Sequence, residues 1–245
     1  MSRKVIGIHS CNEVLKVSPH KVNEVILRKG FEKSQELKGF EKFAKSRRVR
    51  LTIKDLGFLD KIAPSHQGVC VVVDGAPSLD YTSISKDIQD PQIILALDEI
   101  TDPHNVGAMM RTSWLLGAKA MVTTKNRSAH LTPSVAKVAC GGAEHIPLEI
   151  ANNLASEIED LKAEGFWAFG LSGEGTKSLT EVEIPEKVLW VVGSEEKGLR
   201  TPVARVCDEL ISIPQASAGA SYNASVAVAM ALFESARQHQ KLKSK

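Results

Sequence analysis

The chain has 245 residues, 43% hydrophobic and 24% charged, the balance of an ordinary globular protein and neither a disordered nor a fibrous one. No stretch is apolar for long enough to span a bilayer, and the apolar run after Met1-Ser2-Arg3-Lys4 is too short for a signal or transit peptide, which places the protein in the cytoplasm. The net charge of +2 is unevenly spread: residues 1–70 carry 15 Lys and Arg against 7 Asp and Glu, or +8, leaving 16 against 22, or −6, for residues 71–245. A basic front next to a mildly acidic remainder fits a module that grips a polyanion joined to one that does chemistry.

In chain order, residues 5–8 and 24–27 read as short strands with a helical segment over 11–17 between them. Residues 31–47 have helical periodicity, with Leu37, Phe40 and Phe43 recurring, and 50–53 and 69–73 read as strands. This predicts a compact α/β domain over residues 1–73. Lys45, Arg47, Arg48 and Arg50 form its densest basic cluster, at the predicted helix end. Cations there complement the helix dipole, and the charge of the domain favours RNA contact as well. Residues 74–90 are polar and aperiodic, as in a linker. From residue 91 to 245, apolar runs at 93–97, 120–122, 167–171, 188–192 and 210–213 alternate with helical stretches, the pattern of a mostly parallel sheet with helices on both faces. The last helix covers 224–240, with Ser221 or Asn223 as its N-cap, and the tail 241–245 reads as frayed.

Two of these strands open into turns of small residues, Gly193-Ser194-Glu195-Glu196-Lys197-Gly198 and Pro214-Gln215-Ala216-Ser217-Ala218-Gly219-Ala220-Ser221-Tyr222-Asn223. Such turns bring backbone amides close to a ligand, and the absence of a GxxxxGK[ST] pattern argues against a triphosphate. Asp102-Pro103-His104-Asn105-Val106-Gly107 precedes a helix bearing Arg111. Asp102 or Asn105 is a ready helix cap, whereas a charge at Arg111 among Ala, Met, Trp and Leu needs an anion or solvent. Glu195 reads either as a loop-holding acceptor of backbone N–H groups or as a chemical group. Cys11, Cys70, Cys140 and Cys207 lack CxxC spacing and read as small hydrophobes, and His66, His104, His130 and His145 show no ligand spacing, so no metal is expected. A glycine run at 170–175 after a strand raises a nucleotide-binding oxidoreductase, but it is not GxGxxG.

Three ordered motifs resemble those of the SpoU (TrmH) family of RNA ribose 2′-O-methyltransferases: Asp102-Pro103-x-Asn105-x-Gly107-x-x-x-Arg111, Gly193-x-Glu195-x-x-Gly198, and Ile213-Pro214 followed by Ser221-x-Asn223-x-Ser225-x-Ala227. Ile6-Gly7-Ile8-His9 and His66-Gln67-Gly68-Val69 resemble the small RNA-binding domain of the RlmB-like branch. The resemblance implies a SPOUT-type α/β methyltransferase domain with a C-terminal trefoil knot, preceded by an L30e-like α/β domain. It further implies S-adenosylmethionine as cofactor, Asn105, Arg111, Glu195, Ser221 and Asn223 as catalytic residues, and Leu171, Gly193, Ile213 and Tyr222 around the adenosine. A Cβ at Gly193 is then expected to fill space that the backbone vacates for the cofactor. Gln215, Ser217 and Tyr222 depart from the usual Met, Gly and Leu, changes that bear on the shape of the cofactor pocket. Family members act as homodimers with shared sites, which would bury apolar helix around Trp114 or Val226. The implied substrate is a guanosine ribose in large-subunit ribosomal RNA, with a tRNA ribose as the alternative and a non-catalytic RNA-binding protein as the rival.

Overall fold

The computed structural model describes residues 2–78, 91–217 and 219–240. The predicted linker falls largely outside the described residues, as do the tail 241–245 and position 218 of the second small-residue turn.

The front domain runs β1 (Ser2–Ile6), α1 (Ile8–Val17), β2 (Val22–Arg28), α2 (Gln35–Arg47), β3 (Arg50–Lys54), α3 (Leu56–Asp60) and β4 (Val69–Asp74). Its sheet has the order β1-β4-β2-β3, antiparallel except for the β2–β3 pair. Alternate strand residues sort to opposite faces. Val5, Val25, Leu27, Val69 and Val71 pack with Cys11 and Val14 of α1 and Leu37 and Phe40 of α2, whereas Ile6, Ile26 and Cys70 meet Leu59 and Ala63 on the other face. The first strand starts earlier than expected because pairing of Ser2 with Asp74 and Arg3 with Val73 carries it through the basic N-terminus. The helix predicted over 31–47 is broken at Ser34, whose hydroxyl accepts from the Leu37 N–H and so caps α2 after a single 3-10 turn.

The second domain runs β5 (Gln92–Asp98), α4 (Pro103–Leu115), β6 (Ala120–Thr124), α5 (Pro133–Val138), β7 (Leu148–Ala151), α6 (Leu154–Ala163), β8 (Trp167–Leu171), β9 (Lys177–Ser178), β10 (Lys187–Gly193), α7 (Thr201–Val206), β11 (Glu209–Ser212) and α8 (Ala224–Gln238). Its seven-stranded sheet has the order β7-β6-β5-β10-β8-β11-β9, every described pair parallel. The chain builds outward from β5 to β7, returns through α6 to β8, and later inserts β10 between β5 and β8. Strand β10 is therefore covered on both sides and both faces, as its unbroken apolar run requires. Leu95, Trp190 and Phe169 face α4, α5 and α8, while Ile94, Leu189 and Ala168 face α6 and α7. Trp190, wholly buried, donates from Nε1 to Ser235 Oγ of α8 at 2.9 Å, which satisfies its one polar atom.

The short strands β7 and β9 and the helix α3 have too little sequence pattern to have been foreseen. The glycine run at 170–175 leads from β8 into β9 and not into a helix, which removes the dinucleotide-binding alternative.

The two domains touch directly. The Arg3 guanidinium bonds both carboxylate oxygens of the buried Glu144, and Ser10 Oγ donates to the Ala136 carbonyl at 2.9 Å. His66 belongs to the turn before β4, where Nδ1 accepts from the Gly68 N–H at 2.9 Å.

Candidate functional site

Strands β5, β10, β8 and β11 end on one edge of the parallel sheet, and the chain order reverses there, so the crevice outside their carboxyl ends is where a ligand belongs. The loop after β10 carries Glu195. Both ends of this loop are tied to one point: Gly193 pairs in register with Asp98 at the end of β5, and Arg200 donates to the Asp98 carboxylate from its backbone N–H at 2.8 Å and from Nε at 2.6 Å. Asp98 is fully buried, and Arg200 also reaches Glu99 at 3.5 Å. Glu99 in turn pairs with Arg127 at 3.1 Å, so the four groups form a charge-balanced chain. None of these residues stood out in the sequence. An aspartate closing a fully apolar strand was the available signal, because a buried carboxylate needs a partner.

Within the loop the Gly198 N–H donates to the Ser194 carbonyl at 2.8 Å and closes a tight turn. A Cβ built on Gly193 would stand 2.1 Å from the carbonyl carbon of Gly198 and 2.4 Å from the Leu199 nitrogen. The space that its missing side chain leaves is taken by the returning loop, which corrects the expected reason for a glycine at 193, while the residue itself lies on the wall of the cavity described below.

Three donors converge on one oxygen of Glu195. Asn105 Nδ2 of α4 lies 3.0 Å from Oε1, the Ala224 N–H at the start of α8 lies 3.3 Å away, and Asn223 Nδ2 is also bonded to it. Asn223 Nδ2 further donates to Asn105 Oδ1 at 3.0 Å, and Asn223 Oδ1 accepts from the Ser225 N–H at 2.9 Å as the cap of α8. The N-cap is thus Asn223, not Ser221. The positive end of α8 is directed at a carboxylate of the chain itself, a stabilising placement. Glu196, next in the loop, is exposed.

On one side of this group lies a cavity of about 250 Å³ lined by Leu171, Gly193, Glu195, Ile213, Ser221 and Tyr222 among others, which gathers all four residues assigned to the adenosine. Tyr222 is 39% exposed and donates from its hydroxyl to the Pro214 carbonyl at 3.0 Å, tying the two ends of the second turn together. Gln215 lines the cavity as well. On the other side lies a polar cavity of about 320 Å³ lined by Glu99, Asp102, Asn105, Arg127, Glu195 and Lys197 among others. Ser194 and Glu195 border both cavities.

Arg111 is not brought into this cluster within one chain. It is exposed on α4, and its Nη1 lies 3.6 Å from Cys140 Sγ. The cysteines also differ from one another: burial pushes the Cys70 and Cys207 thiols up to about 12 and Cys11 well above its usual range, while Cys140 is half-buried next to the arginine. In the front domain Arg47, Arg48 and Arg50 share a shallow polar basin with His20. Lys45 pairs instead with Glu41 one turn back, at 2.6 Å.

The model of the SpoU rRNA Methylase family matches residues 92–233. The chain belongs to that family. A second family model, RNA 2′-O ribose methyltransferase substrate binding, matches residues 4–79 of this SpoU methylase. It is 37% identical to 23S rRNA (guanosine-2′-O-)-methyltransferase RlmB of Haemophilus influenzae over 97% of the chain and 98% of that relative. Among solved structures, the SpoU methyltransferase AviRb from Streptomyces viridochromogenes in complex with AdoMet superposes with a TM-score of 0.81 at 20% identity, covering 98% of this chain and 91% of that one. The A. aeolicus TrmH/SpoU tRNA modifying enzyme has a TM-score of 0.54 at 24% identity, covering 64% of this chain and 80% of that one.

Because its Cβ meets backbone, Gly193→Ala is expected to destabilise this SpoU methylase by about 1–3 kcal/mol, the cost of forcing atoms into a packed site. Gly173→Ala, at a cavity-lining glycine with nothing within 4 Å of its Cβ, serves as control and should stay within about 0.5 kcal/mol of wild type. Urea denaturation of the two variants measures both, and equal midpoints would contradict the packing argument.

Proposed function

We propose that the chain methylates the 2′-hydroxyl of a guanosine ribose in 23S ribosomal RNA, with S-adenosylmethionine as donor, and therefore works in the cytoplasm. The observation that carries this reading is the Asn105–Glu195–Asn223 group set between two contiguous cavities, one walled by strand ends and small-residue turns, the other lined mainly by polar and charged groups. The first suits an adenosine and its methionine tail: Leu171 and Ile213 offer apolar walls, and Ser194, Gln215 and Ser221 offer polar atoms. The second, with Arg127 and Lys197 at its rim, suits a ribose and its flanking phosphates. The RlmB relative aligns along nearly its whole length, substrate-binding domain included, whereas the tRNA modifying enzyme corresponds to only 64% of this chain. That difference favours ribosomal RNA over tRNA.

S-adenosylmethionine, when bound, supplies a methyl group already activated by its sulfonium. The work left to the protein is to align the hydroxyl and take up its proton. Since the three donors to Glu195 meet on Oε1, Oε2 is the oxygen left to take up the proton of the hydroxyl. Asn105 and Asn223 fix the carboxylate in that orientation, and Ser221 offers a hydroxyl to the bound group from the cavity wall. Arg111, permanently cationic, anchors a phosphate and orients the RNA. Its position outside the cluster fits a site completed by a second copy.

A homodimer is part of this reading. Leu115 of α4 and Val226 and Phe233 of α8 are large apolar side chains left 65%, 47% and 51% exposed, and Val226 and Phe233 are seven residues apart on one helix face. Trp114, also considered for that face, instead stacks on His145 within the chain. The knot that the resemblance implies belongs to the same reading, supported by the insertion of β10 between β5 and β8. The basin of Arg47, Arg48 and Arg50 grips RNA phosphates.

Three outcomes follow. Comparing alkali-resistant positions in ribosomal and transfer RNA from a deletion strain and its parent should show loss of one guanosine mark in 23S rRNA, restored by the wild-type gene and not by Glu195→Gln, for which the rate should fall about 10²–10⁴-fold; loss of a tRNA mark instead would move the substrate to tRNA. Replacing Arg47, Arg48 and Arg50 by Ala should reduce the slope of log K for RNA against log salt by about 2–3, at ~0.9 per duplex phosphate and ~0.7 per single-strand phosphate, with an unchanged slope excluding the basin. Sedimentation should give a dimer for wild type and a monomer without methyl transfer for Phe233→Asp, and a fully active monomer would sink the shared site.

A further inference from the structure

Between the two domains lies a turn, residues 139–145, for which methyl transfer as described above has no use. Its backbone enters the left-handed region twice in succession, at Cys140 (φ 49°) and Gly141 (φ 100°). A non-glycine residue stays in that region only where its surroundings hold it there.

Those surroundings come from both domains. Towards the methylase domain, a Cβ on Gly142 would stand 2.9 Å from the Met110 carbonyl oxygen and 3.1 Å from Arg111 Cα, so the turn lies directly on the backbone of α4. Cys140 Sγ receives Arg111 Nη1 at 3.6 Å, and the His145 ring stacks on Trp114, one turn further along α4, at 4.3 Å and 7° between planes. Towards the front domain, a Cβ on Gly141 would stand 2.9 Å from Glu13 Cγ of α1, and Glu13 Oε1 meets His145 Nε2 at 3.3 Å. Burial pushes the Glu13 carboxyl up, but its hydrogen bonds with Lys16 and His145 outweigh this and hold it below its usual range. Arg3 bonds Glu144 in the same turn, and Ser10 bonds the carbonyl of Ala136 just before it.

We propose that the substrate-binding domain positions Arg111 of the methylase domain, with Glu13 pressing on Gly141 and holding His145 so that the turn against which the guanidinium rests is fixed. The inference rests on Arg111 taking part in methyl transfer. Its consequence is that the domain that grips RNA is also part of the scaffold of the reaction: displacing α1 releases the turn and lets the arginine swing, with both cavities intact. Glu13 is a positioning residue in this scheme and touches neither RNA nor cofactor.

The test is a double-mutant cycle on the full-length protein, read as single-turnover methyl transfer at saturating S-adenosylmethionine and 23S rRNA. Glu13→Ala should slow transfer about tenfold, the scale of a small misplacement of a reacting group, with RNA and S-adenosylmethionine affinities within about twofold of wild type. In an Arg111→Ala background the same change should cost nothing further, because the two act as a unit. Glu13→Gln, which keeps the contact with Gly141 and a hydrogen bond to His145, should recover most of the rate. His145→Phe, which keeps the stack on Trp114 and loses Glu13, should reproduce the pattern even if Glu13→Ala does not fold. Equal slowing in both backgrounds, or a wild-type rate for Glu13→Ala or His145→Phe, overturns the positioning role. If Arg111→Ala alone retains the wild-type rate, it is the assignment of Arg111 to the site that fails, and the proposal falls with it.

Discussion

The buried carboxylate of Asp98 is the interaction on which the rest of the site depends. It closes the inner strand β5 with no exposure to solvent, and Arg200 satisfies it with a backbone N–H and a guanidinium edge. Leaving such a charge without its partner costs about 3–5 kcal/mol, so the contact holds as long as the domain is folded. Because Gly193 pairs with the same residue, the loop that carries Glu195 leaves the sheet and returns to it at a single point. A short loop closed in this way has little freedom, and the carboxylate it presents is placed by the sheet and not by the loop.

Backbone proximity does the remaining positioning. Gly193 lets the loop return against its own first residue, and Gly107 lets α4 lie close to Val135 and Val138 of α5, where a Cβ would stand 2.6 Å from Val138 Cβ. Helix α4 thus sits against α5 on one side and α8 on the other, and the asparagines at the starts of α4 and α8 meet over Glu195. Side-chain chemistry at the site follows from helix packing some distance below it. The same helix carries Trp114 and Arg111 towards the front domain, so a shift of α4 would be felt at both ends.

Several elements were legible because their patterns are local. Strand β10 is an apolar run bounded by Lys187 and Gly193, β8 runs from Trp167 to Leu171 as its pattern predicts, and α8 begins behind an asparagine cap. Where the reading departed from the structure, the reason was a contact with a distant segment. Strand β1 extends through Arg3 and Lys4 because β4 supplies its hydrogen bonds, and β9 exists only because Ile211 and Ser212 lie beside it. Ser34 was read through as part of a helix, although serine is a favoured cap and an acidic residue in the turn that follows supports a helix start.

By itself the sequence determined the class of fold, the charge division between a basic front and an acidic remainder, and the three motifs whose asparagines and glutamate share the site. These properties reside in single segments, in the period of apolar residues and the identity of turn residues, and need no knowledge of what lies opposite. Only the tertiary structure decided that Asp98 and Arg200 close the Glu195 loop, that the void at Gly193 belongs to Gly198, and that Arg111 rests on a turn braced by Glu13. Each of these joins residues far apart in the chain across the sheet edge or the domain boundary. A close approach of that kind leaves no periodic trace, because it is set by where whole elements stop and not by which residues they contain.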